Sequence, residues 1–162
     1  MLSQPLIIRS IRENLSIVMS FAFSRIPLEN LLESHYKGEW KYLTASLLNI
    51  PEQRANKACI DLALFLRKLD DEQKISPYLK KTKSLDFGIL KKPNEGTDKL
   101  TIRDACNKII HASELRWNFS DPKSPIPILI CIPDGREQWV GAEINLLNLA
   151  GLCGLIMHLD IH

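Results

Sequence analysis

The chain reads as an α+β protein that is mainly α, a helical bundle carrying a C-terminal β-hairpin followed by a final helix. Three observations predict this. Apolar residues recur at three- and four-residue spacing over residues 5–23, 51–70 and 101–114, the period that lines one face of a helix. Two short apolar stretches, 127–132 and 137–145, flank Pro133-Asp134-Gly135-Arg136, a turn in which proline presets one dihedral and glycine accepts a positive one. Residues 146–159 are almost wholly apolar and long enough for a buried helix.

The bulk properties fit one domain spanning residues 1–162. With 162 residues, 45% hydrophobic and 25% charged, the chain has the composition of an ordinary globular protein and should bury roughly 70% of its unfolded surface. A net charge of +2 is too small to argue alone for nucleic acid or a membrane surface. The four cysteines are widely spaced among apolar residues, which predicts buried free thiols in a reducing, cytoplasmic compartment rather than a disulfide framework. Cys106 and His111 stand five residues apart, about 140° round a helix, and no CxxC spacing occurs, so no metal or other cofactor is expected. The apolar run 15–23 is broken by Ser16 and Ser20 and falls far short of the ~20 residues a membrane span needs.

Taken in order, Ser3 and Pro5 mark the first helix start, because a first-turn proline loses no hydrogen bond. Leu6, Ile7, Ile11, Leu15, Val18, Met19 and Ala22 form its apolar stripe, and Pro27 predicts its end. Residues 28–36 and 38–48 read as shorter helices broken at Gly38. Asn49-Ile50-Pro51-Glu52 resembles a capping box and opens a helix whose buried stripe is Ala55, Ala58, Cys59, Leu62, Leu66 and Leu69. Arg67, Asp70 and Asp71 lie at its far end. Residues 73–99 carry seven lysines against three acids, with Pro77, Gly88, Pro93 and Gly96 as breakers, and read as a long irregular connection with at most one short helix. Thr101 and Asp104 form a second capping-box pattern. Pro122, Pro125 and Pro127 mark an extended linker, after which Val140, Ala142 and Ile144 alternate as a half-buried returning strand. Gly151 and Gly154, costly within a helix, suggest close packing there.

Organised polar chemistry is confined to residues 101–114. On a helix, Ile102, Ala105, Cys106, Ile109 and Ile110 gather on the core side. Arg103, Asn107 and His111 then follow at spacings of four along one flank, with Glu114 close to the same line. Side chains four apart can touch, so a cation, an amide and an imidazole are offered together.

The stretch Thr101-Ile-Arg-Asp-Ala-Cys-Asn-Lys-Ile-Ile-His111 resembles the motif helix of the HEPN superfamily, small helical-bundle proteins many of which are metal-independent RNases of defence and toxin–antitoxin systems. Residues 58–71 (ACIDLALFLRKLDD) are similar to the HEPN helix that ends in an arginine and an acid. The resemblance implies a single HEPN-like domain with a β-hairpin at about 127–145, and a homodimer in which two motif helices face each other. As a metal-independent endoribonuclease, the chain would use His111 for proton transfer, Arg103 helped by Lys108 to hold phosphate, and Asn107 to orient the histidine or substrate. Lys80, Lys81 and Lys83 would add an RNA-binding footprint in the basic connection. The other reading is a non-catalytic interaction module, immunity- or antitoxin-like, binding a cognate protein. Cys106 stands five residues before His111, where the family often carries arginine, and this favours the module.

Overall fold

Two long helices, α1 (Gln4–His35) and α2 (Ile50–Gln73), pack against each other along most of their length. The computed structural model describes residues 4–36, 38, 42–82, 85–119 and 126–159, and the chain is α+β, mainly α. On α1 the buried residues are Ile7, Ile8, Ile11, Val18, Phe21, Ala22 and Leu32, whereas Leu6, expected in the stripe, is 42% exposed. Ile7, Ile8, Ile11, Val18 and Ala22 meet Ala58, Leu62, Leu66 and Leu69 of α2 in one core, where each fully buried Ile or Leu contributes about 1.5–3 kcal/mol.

Pro27 does not end α1, contrary to the sequence expectation. An internal proline normally costs a helix about 3 kcal/mol. Here Arg25 reaches across it, bonding Glu29 at 2.7 Å and Glu52 of α2 at 2.9 Å, so tertiary contacts hold the turn that local preference would break. By length and composition α1 could cross a membrane. Its longest charge-free stretch, residues 14–24, is nevertheless only about 16 Å of helix, half a ~30 Å hydrocarbon core.

Asn49 caps nothing. Residues 43–44 are helical, and a π-helical turn, Ala45–Asn49, continues directly into α2. Asn49 is itself helical at φ −73°, ψ −45°, with no side-chain cap bond.

The connection over 73–99 is structured, which corrects the irregular-loop expectation. It holds α3 (Ile75–Thr82) and the strands β1 (Gly88–Lys91) and β2 (Thr97–Lys99). Leu79 of α3 and Phe87 before β1 are buried anchors that the surrounding lysines mask in the sequence. Gly88 takes φ +137°, and a Cβ there would stand 2.0 Å from the Glu143 carbonyl oxygen, so only glycine lets β1 approach the sheet this closely.

α4 (Ile102–Ile110) is shorter than the expected 101–114, and Glu114 opens the strand β3 (Glu114–Asn118) instead. Ser113 draws the chain into that strand by donating its N–H and hydroxyl to the Ile132 carbonyl at 2.8 and 3.1 Å. β4 (Ile128–Ile132) and β5 (Gly141–Ile144) make the expected antiparallel pair, but within a five-stranded sheet of order β2-β1-β5-β4-β3. All its neighbours are antiparallel. Leu129, Cys131, Ala142 and Ile144 bury its inner face against the helices. At the mouth of the returning strand the expected sides are reversed: Trp139 is buried and Val140 is 54% exposed. α5 (Leu146–Leu159) closes the fold. Gly151 and Gly154 do not mark close packing, since a Cβ at either would meet nothing within 4 Å. Pro122 and Pro125 lie outside the described residues.

Candidate functional site

Thr101 starts α4 as the sequence predicts. Its hydroxyl accepts from the Asp104 N–H at 3.2 Å, while the Asp104 carboxylate accepts from the Thr101 N–H at 3.4 Å. This reciprocal cap fixes the helix phase. Its apolar side, Ile102, Ala105, Cys106 and Ile109, turns into the core, and its polar flank lies beside the C-terminal half of α2.

There the three expected site residues meet different surroundings. Arg103 donates from one Nη to Asp70 at 3.0 Å and to Asp71 at 2.7 Å. Hydrogen bonds from Asp71 first and then Asp70 raise its pKa further. Asp70 is only 5% exposed and also accepts from the Ser76 N–H at 2.6 Å and hydroxyl at 2.9 Å. The guanidinium therefore belongs to a joint tying α2, α3 and α4 together. Asn107 is half-buried, and its Oδ1 is buried with no hydrogen-bond partner among the described residues, as is Nε of Arg67. His111 is exposed, at the C-terminal cap of α4, with its N–H on the Asn107 carbonyl at 2.9 Å.

Two depressions flank Asp71. One, of about 490 Å³, is lined by Asp70, Asp71, Lys74, Ser76, Pro77, Lys80 and Arg103. The other, of about 430 Å³, is lined by Leu64, Arg67, Lys68, Asp71, Glu72, Ile110 and His111. Arg103 and His111 thus open on separate hollows. Arg67 and Lys68 are the cations beside the imidazole, faced by Asp71 and Glu72, so the hollow is polar without a dominant sign.

The expected RNA-binding lysines are dispersed too. Lys80 lines the Arg103 hollow, and Lys81 is exposed on α3. Lys108 places its Nζ 4.4 Å from the centre of the Trp139 ring, a cation–π contact on a different surface. Lys83 lies outside the described residues. The four cysteines are free and buried, and burial pushes the thiols of Cys106, Cys131 and Cys153 up to about 12, far from the thiolate range that reactivity needs. Sequence reasoning noticed Arg67, Asp70 and Asp71 at the end of α2 but not that they would face α4. The available signal was the opposite charge at the end of one helix and in the first turn of another. The chain matches no family model, no curated protein and no solved structure.

Proposed function

We propose that the chain is a HEPN-like, non-catalytic interaction module that binds a cognate protein in a reducing, cytoplasmic compartment. The observation that carries this is the engagement of Arg103 by both Asp70 and Asp71. A guanidinium holding two carboxylates has little charge left to stabilise a phosphate in a transition state. His111 opens on the other hollow, so the ladder read from the sequence is divided, and only its Arg103 end acts as a brace. The four buried free thiols support the compartment.

A second reading, a metal-independent endoribonuclease, is favoured by one observation: His111 shares its hollow with Arg67 and Lys68. Arg67 would take the phosphate-holding role expected of Arg103, and His111 would transfer the proton. The two readings separate in one assay. Unstructured single-stranded RNA incubated with the full chain in EDTA should remain intact for wild type, His111→Ala and Arg67→Ala alike. Cleavage by wild type that falls by two or more orders of magnitude in both variants, the usual worth of a positioned acid–base group, would overturn the module. RNA binding without cleavage would give the lysines a role. The triple change of Lys80, Lys81 and Lys83 to glutamine would then weaken binding and flatten its salt dependence.

A further inference from the structure

The two edges of the sheet are built differently. β2 is three residues long and wholly exposed; Lys99 lies on it, and Lys92 pairs with its Asp98 at 2.5 Å. Short, lysine-bearing edges resist pairing with another strand. β3 is five residues long and lies at the opposite edge, with no strand on its far side among the described residues.

The direction of its outer backbone groups follows from the ladder. Asn145 donates its N–H to the Phe87 carbonyl at 3.0 Å, in register with the β1–β5 pairs. Bonded and non-bonded pairs alternate along antiparallel strands. Carried across β5 and β4 through the pairs Leu129↔Ile144 and Cys131↔Ala142, this alternation turns the backbone of Glu114, Arg116 and Asn118 towards β4. The N–H and C=O of Leu115 and Trp117 then point out of the edge.

The exposed side chains choose how such an edge would pair with itself. An antiparallel pairing centred on Leu115 sets Glu114 opposite the partner's Arg116, and Arg116 opposite the partner's Glu114. These are non-bonded pairs, where side chains approach most closely. Within one chain the two already form a double contact, Nε to Oε1 at 2.7 Å and Nη2 to Oε2 at 2.9 Å, so two copies would bring four charges together with signs alternating. Centring on Arg116 instead sets two guanidinium groups opposite each other, which is destabilising. Centring on Trp117 sets Arg116 opposite an asparagine.

We propose that β3 is a self-pairing edge, at which a second copy of this chain joins antiparallel about Leu115 to extend the sheet. This dimer would form at the sheet, whereas the family resemblance implies one at the motif helices, and the pairing is independent of the proposed function. Light scattering on the full chain across a concentration series tests it. Wild type should reach twice the 18.5 kDa chain mass. Glu114→Arg and Arg116→Glu should each weaken the dimer about tenfold or more, by setting like charges opposite. The double swap Glu114→Arg/Arg116→Glu should restore it, because the opposite pairs return with their signs exchanged. Both substitutions fall on exposed side chains, and circular dichroism should report an unchanged fold in all three variants. A wild type that stays monomeric at every concentration overturns the proposal, leaving the edge to a strand of another protein. Single variants as dimeric as wild type overturn it in favour of another face, and so does a folded double swap that stays monomeric. The readout is mass alone, so its failure leaves the RNA assay unaffected.

Discussion

At its N-terminal end α4 is capped by Thr101 and Asp104 and clamped by Arg103 to a buried carboxylate, whereas at its C-terminal end His111 stands exposed over an open hollow. The same helix thus carries, about two turns apart, a residue fixed by structure and a residue left free. Spacing along a helix says which side chains share a flank; what the neighbouring helix offers decides what each does. α2 offers two aspartates to Arg103, and offers Arg67, Lys68 and their acidic neighbours to His111.

The comparison is broken most severely at Asp70. Asp70→Ala removes one of the two acceptors of Arg103 and the acceptor of two Ser76 donors at once. Losing a buried, multiply bonded carboxylate should cost about 3 kcal/mol, measured by urea unfolding. Arg103→Ala should lower Tm by less, since Ser76 still satisfies Asp70 and Arg103 is 43% exposed. An Asp70→Ala variant as stable as wild type would mean that the joint does not brace α4, and Arg103 would return as a candidate phosphate ligand.

A smaller change tests the cap without touching the clamp. Thr101→Ala should cost about 1 kcal/mol, the usual worth of an N-cap hydroxyl. It should leave the His111 hollow unchanged, as read by the histidine ring resonances in NMR. If those resonances move as well, the two ends of α4 are coupled and do not behave as separate regions.

Much of this architecture was legible in the sequence, and the failures have physical causes. The core stripes of α2 and α4, the Thr101–Asp104 cap, the β4–β5 pair and α5 follow from period and turn chemistry alone. β1 and β2 escaped because Lys91, Lys92 and Lys99 dilute their alternation, and a short edge hairpin needs little apolar residue to pair with a strand already present. β3 escaped although Leu115 and Trp117 alternate with Glu114 and Arg116, a period of two attached to a helix of period 3.6. Pro27 misled because propensity is local, while Arg25 ties its turn to Glu52 of α2. For the site, residue types were legible and their partners were not. Arg103 sees Asp70 and Asp71 across more than thirty residues of sequence, and no spacing rule encodes that approach.

The smallest expected effect is at His111, and it sharpens the comparison most. The side chain is exposed and no hydrogen bond to its ring occurs among the described residues, so His111→Ala should leave Tm within about 2 °C of wild type, as surface substitutions usually do. Asn107→Ala makes the companion measurement. Its Oδ1 is buried without a partner among the described residues, so removing the amide trades an unsatisfied acceptor for a small void, and stability should change little or rise slightly. A clear loss of stability in His111→Ala would show the imidazole to be part of the brace, erasing the difference between the two ends. Unchanged stability with unchanged behaviour towards RNA leaves the open end of α4 as surface available to a protein partner. Unchanged stability with lost cleavage would instead make that end an active centre, with Arg67 in place of the arginine the sequence had pointed to.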